Sequence, residues 1–103
     1  MLSEQEFRLE ADRALEQLQH SLMPLADTEG FEVELQNGVL QIVFEDPPPA
    51  KFVISPNAPV RQIWVSALSR SFKLAWDGTT FALDGESLNV LLPRLIRQQL
   101  GAG

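Results

Sequence analysis

Apolar residues recur every three or four positions from residue 3 to about residue 23. Phe7, Ala11, Ala14, Leu15, Leu18 and Leu22 make one stripe, which predicts an amphipathic helix. Ser3 with Glu6 three positions later is a capping box, and Glu4 and Glu6 suit the positive end of the helix dipole. Pro24 is expected to close the helix. From Phe31 the period changes to two: Phe31, Val33 and Leu35 point one way and Glu32 and Glu34 the other, a half-buried strand with an acidic outer face. Asn37-Gly38 reads as a hairpin turn, and Val39 to Glu45 as the return strand with Leu40, Ile42 and Phe44 on its inner face. Asp46-Pro47-Pro48-Pro49-Ala50 is poor in backbone donors and should be a stiff loop.

Lys51 to Ser55 predicts a third strand, and Ser55-Pro56-Asn57-Ala58-Pro59 a turn into the strand Arg61 to Ser66. Along that strand Ile63 and Val65 share the core face, while Gln62, Trp64 and Ser66 share the other. A large aromatic between small polar residues on an outer face is either an interface anchor or a cover lying flat over the sheet. Ser69 to Ser71 falls in the next connection, and Phe72, Leu74 and Trp76 then alternate with Ser71, Lys73 and Ala75. Asp77-Gly78 is another tight turn, and Thr80 to Leu83 a short last strand. Asp84-Gly85-Glu86-Ser87 leads into a final helix whose stripe is Leu88, Leu91, Leu92, Leu95, Ile96 and Leu100. Pro93 should kink it, at a local cost of up to ~3 kcal/mol relative to alanine, and Gly101 should end it. The predicted fold class is α+β: a single domain over residues 1–103, with five or six antiparallel strands in a meander and both terminal helices on one face of the sheet. The other face stays open, with Gln62 and Trp64 on it.

Composition narrows the chemistry. The chain has no cysteine, which removes disulfides, thiolate metal sites and cysteine nucleophiles, so a metal must bind through oxygen or through His20. No apolar run reaches the roughly 20 residues of a membrane span, and the N-terminus resembles neither a signal nor a transit peptide, so a cytoplasmic protein is expected. The net charge of −6 is unevenly spread. Residues 1–46 carry eleven acidic side chains against Arg8 and Arg13, whereas residues 47–103 carry three acidic and six basic ones. An acidic field repels nucleic acid and attracts cations or basic protein patches. No G-x-S-x-G elbow, glycine-rich phosphate loop, dinucleotide fingerprint or calcium-loop spacing is present. What remains is a carboxylate array, with Glu16 and His20 four apart as a possible pair, and the Trp64 face. Surface carboxylates hold hard cations such as Ca²⁺, Mg²⁺, Mn²⁺ or ferrous iron weakly and with little selectivity.

The run Gln62-Ile63-Trp64-Val65-Ser66, followed by Trp76-Asp77-Gly78, Asp84-Gly85-Glu86-Ser87-Leu88 and Leu91-Leu92, resembles the frataxin family. The order of elements, the acidic first helix and strand, and Asn37-Gly38-Val39-Leu40 extend the resemblance over almost the full length. It implies a small α/β sandwich that acts in iron-sulfur cluster assembly. It implies a cysteine desulfurase and the cluster scaffold protein as partners, with weak ferrous or ferric iron binding by an acidic ridge. Asp12, Glu32 and Glu34 fall at ridge positions, with Glu4 and Glu6 near them and Glu16 and His20 as further candidates by spacing. Gln62 and Trp64 fall where the sheet meets partner proteins, Asn57 where the family usually has a glutamine, and Lys73 where some members place a basic contact. Gln19, His20, Met23 and Pro24 stand where the family usually carries a dense acidic cluster, which favours the partner surface over strong iron binding.

The leading expectation is a non-enzymatic, iron-binding regulator, or iron chaperone, of iron-sulfur cluster assembly that modulates a desulfurase–scaffold complex, mostly as a monomer and with iron-dependent oligomers left open. The alternatives are an iron-storing or ferroxidase-type protein, which needs carboxylates of fixed geometry, and an acidic adaptor with no metal role.

Overall fold

A computed structural model describes residues 2–101; Met1, Ala102 and Gly103, which belong to the expected domain, lie outside the described residues. Helix α1 (Glu4–Glu29) opens on the expected capping box, in which Glu6 N–H donates to Ser3 Oγ (3.1 Å) and Ser3 N–H to Glu6 Oε1 (2.9 Å). It does not stop at Pro24. Pro24 costs the His20 carbonyl its donor, but both residues are exposed, so water reaches the gap. Leu22 and Ala26 on either side are buried, and Gly30, at φ 81°, closes the helix with its N–H on the Ala26 carbonyl. Packing outweighs the local penalty. Pro24→Ala is therefore expected to stabilise the fold by at least ~1 kcal/mol of the ~3 kcal/mol separating the two residues in helix interiors, read as a raised denaturation midpoint at unchanged m.

Seven antiparallel strands follow in chain order, each beside its predecessor: β1 (Glu32–Gln36), β2 (Val39–Phe44), β3 (Ala50–Asn57), β4 (Gln62–Ala67), β5 (Arg70–Trp76), β6 (Phe81–Leu83) and β7 (Glu86–Ser87). Helix α2 (Leu88–Gly101) closes the described chain and continues through Pro93. The fold class is the expected α+β sandwich, with the sheet slightly larger than five or six strands. The extra one is β7, because Asp84 and Gly85, both at positive φ, make a tight turn rather than a lead into the helix. β3 extends to Asn57, placing Pro56 opposite Ile63. The β2 ladder has already ended there, at Leu40 opposite Ile54, so proline is tolerated on that side. Leu68 and Ser69 alone turn β4 into β5, both at positive φ, so β5 starts earlier than the serine spacing suggests.

One face of the sheet carries Leu40, Ile42, Phe52, Ile54, Ile63, Val65 and Leu74 into a single core with Phe7, Leu15, Leu18 and Leu22 of α1 and Leu91, Leu92, Leu95 and Ile96 of α2. The stripe of α2 ends differently from expectation. Gln99 is the buried residue and Leu100 is exposed, because Gln99 Nε2 donates to the Pro48 carbonyl (3.0 Å) under the triproline loop. At the opposite sheet edge Arg94 grips Glu86 with two bonds of 2.7 Å, tying α2 to β7.

That ion pair makes stability depend on pH. The Arg94 hydrogen bonds hold the Glu86 carboxyl below its ordinary range, and hydrogen bonds from the Thr80 and Thr79 backbone do the same for Asp77. A carboxyl whose folded value is depressed stabilises fully above its unfolded value and loses that contribution as pH falls through the folded value. Stability is therefore expected to be level near neutrality and to fall through and below the usual carboxylate range. In denaturant titrations at stepped pH, Glu86→Gln should show a shallower acid loss than the wild type.

Candidate functional site

The helices cover one face of the sheet, so the alternating residues of β3, β4 and β5 form the open one. Register sets their neighbours: Ser55, Trp64 and Lys73 form one cross-strand row, and Asn57, Gln62 and Ala75 the next. Trp64 is 37% exposed, a large value for an aromatic in the middle of a sheet. Its indole N–H donates to Gln62 Oε1 (2.9 Å), and Lys73 Nζ lies 4.9 Å from the ring centroid. The hydrogen bond and the cation–π contact fix the ring's orientation. Small neighbours, Ser55, Ser66 and Ala75, leave it uncovered. Trp64 is thus a ring braced against the sheet with a free surface. Gln62, Trp64 and Lys73 come together as the sequence suggests, with Asn57 directly opposite Gln62.

The candidate metal residues are spread out. Glu4 pairs with Arg8 (3.6 Å). Glu6 is committed to the cap, where the Ser3 backbone and side-chain hydrogen bonds hold its carboxyl below the ordinary range. It borders a hollow shared with Arg61 and Asp77, away from β1. Asp12 and Glu16 flank a hollow of about 250 Å³ with Leu35 and Gly38, on the helix side of the β1–β2 turn. Glu32 and Glu34 stand on the opposite face of β1, where Glu34 borders a separate hollow of about 260 Å³. No ion pair or hydrogen bond joins Glu16 to His20 among the described residues. Nor do three histidine, aspartate or glutamate side chains gather there as a metal-holding group. These donors do not fit a chelated ion, since hard cations ask for several oxygens converging on one point. They fit an acidic edge.

Among the described residues no helix is long and apolar enough to cross a membrane. Residues that pattern alone did not single out include Ser55, a small residue directly across from Trp64, and Gln99. The signal for Gln99 was a polar residue three positions after Ile96 on an apolar stripe.

Comparison with known proteins identifies relatives over nearly the whole chain. The chain is 34% identical to the "Iron-sulfur cluster assembly protein CyaY" of Janthinobacterium sp. over 104 residues, covering 97% of this chain and 92% of that protein. It is 32% identical to the protein of the same name from Cupriavidus metallidurans, with the same coverage. The Azotobacter vinelandii protein of that name is 31% identical over 84% of this chain and 83% of its own length. The family model described as "Frataxin-like domain" matches residues 1–102. With a family match over nearly every residue and relatives above 30% identity along most of its length, the chain belongs to the frataxin-like family.

Proposed function

We propose that this chain is a single-domain, cytoplasmic, non-enzymatic regulator of iron-sulfur cluster assembly, and that it docks on a cysteine desulfurase–scaffold complex through its open sheet face. The observation that carries the reading is the braced, partly exposed Trp64; the assembly role follows from the names of its relatives. The mechanism has two physical parts. Carboxylates on α1 and the outer face of β1 steer the domain toward a basic partner surface, an effect on encounter rate that salt weakens. Trp64 then buries its free surface against the partner while Gln62 and Asn57 supply polar contacts, an aromatic anchor within a polar rim. Lys73 braces the ring and adds positive charge, so the face reads both signs.

Iron is a cargo ion in this reading, attracted weakly by the acidic edge. The separation of Asp12 and Glu16 from Glu32 and Glu34 by β1 disfavours the ferroxidase alternative, which needs a fixed coordination shell. In an anaerobic ferrous titration followed by amide NMR, broadening is expected around Asp12, Glu16, Glu32 and Glu34 without saturation at a single stoichiometric step. After admission of oxygen, ferrous loss should match the protein-free rate. A sharp one-ion transition, or multiple-turnover oxidation abolished by Asp12→Asn with Glu16→Gln, would instead establish the ferroxidase reading.

A further inference from the structure

At the end of the molecule away from the capping box, a hollow of about 220 Å³ opens between the C-terminal ends of α1 and α2 and the triproline loop joining β2 to β3. Phe31 and Phe44 line it, with ring centroids 5.4 Å apart, beside Gln99 and the carboxylates of Glu29, Glu45 and Asp46.

Several independent features give this hollow one electrostatic sign. A helix C-terminus carries the equivalent of about −0.5 charge, and α1 and α2 both end here with no basic residue in the last turn. Glu29, Glu45 and Asp46 are exposed, and none of them is in an ion pair among the described residues. Glu29 sits at the end of α1 where a negative charge is unfavourable, so stability alone does not account for it. Gln99 is the one buried polar residue described, 8% exposed. Gln99 lines the hollow, and its amide nitrogen donates to the Pro48 carbonyl, while no hydrogen bond from the described residues reaches its Oε1, which is therefore open to a donor from outside.

An apolar ring floor, a carbonyl acceptor and a carboxylate rim ask for a cation on an apolar stem. A bare metal ion fits poorly, because two phenyl rings take the place of oxygen ligands. The volume lies below the ~300–1,000 Å³ of pockets for drug-sized ligands and suits one side chain. Arginine matches best: its planar guanidinium stacks on aromatic faces and its fork of donors serves Gln99 Oε1 and a carboxylate together. We propose that this cavity receives an arginine side chain presented by an exposed segment of a partner protein, as a docking point separate from the Trp64 face.

The test is an amide NMR titration of the full chain with N-acetyl-Ala-Arg-Ala-amide, compared with the same peptide carrying citrulline, which keeps the shape and removes the charge. Saturable shifts at millimolar peptide are expected for Gly30, Phe31, Phe44 and the Gln99 side-chain amide, with roughly tenfold weaker binding of the citrulline peptide. Glu45→Gln with Asp46→Asn, both at exposed positions, should weaken the arginine peptide while leaving the unfolding midpoint unchanged. Equal binding of the two peptides, or shifts confined to α1 and β1 with the cavity silent, would overturn the proposal.

Discussion

Replacing Phe81 by alanine is expected to lower stability by about 3–5 kcal/mol, the largest effect of any single change considered. Phe81 is 0% exposed and joins three elements. Its ring meets Phe7 of α1 edge-on (5.6 Å, 88°) and Trp76 of β5 at 5.1 Å and 66°. Alanine removes the transfer energy of the ring and leaves a cavity that a helix and two strands cannot close without moving. Domains of this size typically hold 5–15 kcal/mol in all, so the variant should be close to unfolding at physiological temperature. Equilibrium denaturation by circular dichroism reads this directly. A loss below about 1 kcal/mol would show that the site collapses freely and that the aromatic cluster is not a packing node.

Trp64→Ala is expected to do the reverse: little to the fold and much to partner binding. Truncating a central aromatic anchor typically costs 2 kcal/mol or more of binding, about thirtyfold in affinity. The fold should lose the cation–π contact, an exposed hydrogen bond and the packing of the covered part of the ring, since Trp64 is 37% exposed, together about 1–2 kcal/mol and well below the loss at Phe81. Trp64→Phe separates the parts, since it keeps a ring under Lys73 and removes the donor to Gln62 Oε1. It should retain more affinity than alanine and less than the wild type. Isothermal titration against a purified cysteine desulfurase, with melting temperatures of the same samples, provides both readings. A collapse in melting temperature would place Trp64 among the structural residues.

Much of this was legible in the sequence because two periodicities carry most of the information. A stripe from Phe7 to Leu22 specifies a helix, and alternation from Phe31 to Phe44 around Asn37-Gly38 specifies a hairpin, whatever their surroundings. Failures came where a local rule met a tertiary one. Pro24 signals a stop, yet burial of Leu22 and Ala26 carries α1 to Gly30. Leu68 and Ser69 lack the glycine or asparagine that marks a tight turn, but pairing of Ala67 with Arg70 holds them at positive φ. After Ile96 both Gln99 and Leu100 fit a helical stripe, and only the folded triproline loop decides between them.

The site divides along the same line. Alternation alone brought Gln62 and Trp64 to the open face, while the position of Lys73 over the indole depends on cross-strand register. The acidic edge was legible as composition but not as geometry. The family resemblance groups Asp12 with Glu32 and Glu34, and helical spacing adds Glu16, but β1 lies between the two pairs. The cavity between the helix ends gathers residues 29, 45–46 and 99, which no local pattern relates.

The open face of β3, β4 and β5 is the surface expected to meet the partner. Its most direct test is amide NMR of the labelled chain titrated with unlabelled cysteine desulfurase, with the wild type and Trp64→Ala side by side. Broadening is expected to centre on Gln62 to Ser66, Ser55, Asn57 and Lys73, to extend to the acidic edge at low salt, and to be strongly reduced in the variant. Binding of undiminished strength by Trp64→Ala, with the sheet face unperturbed, would contradict it.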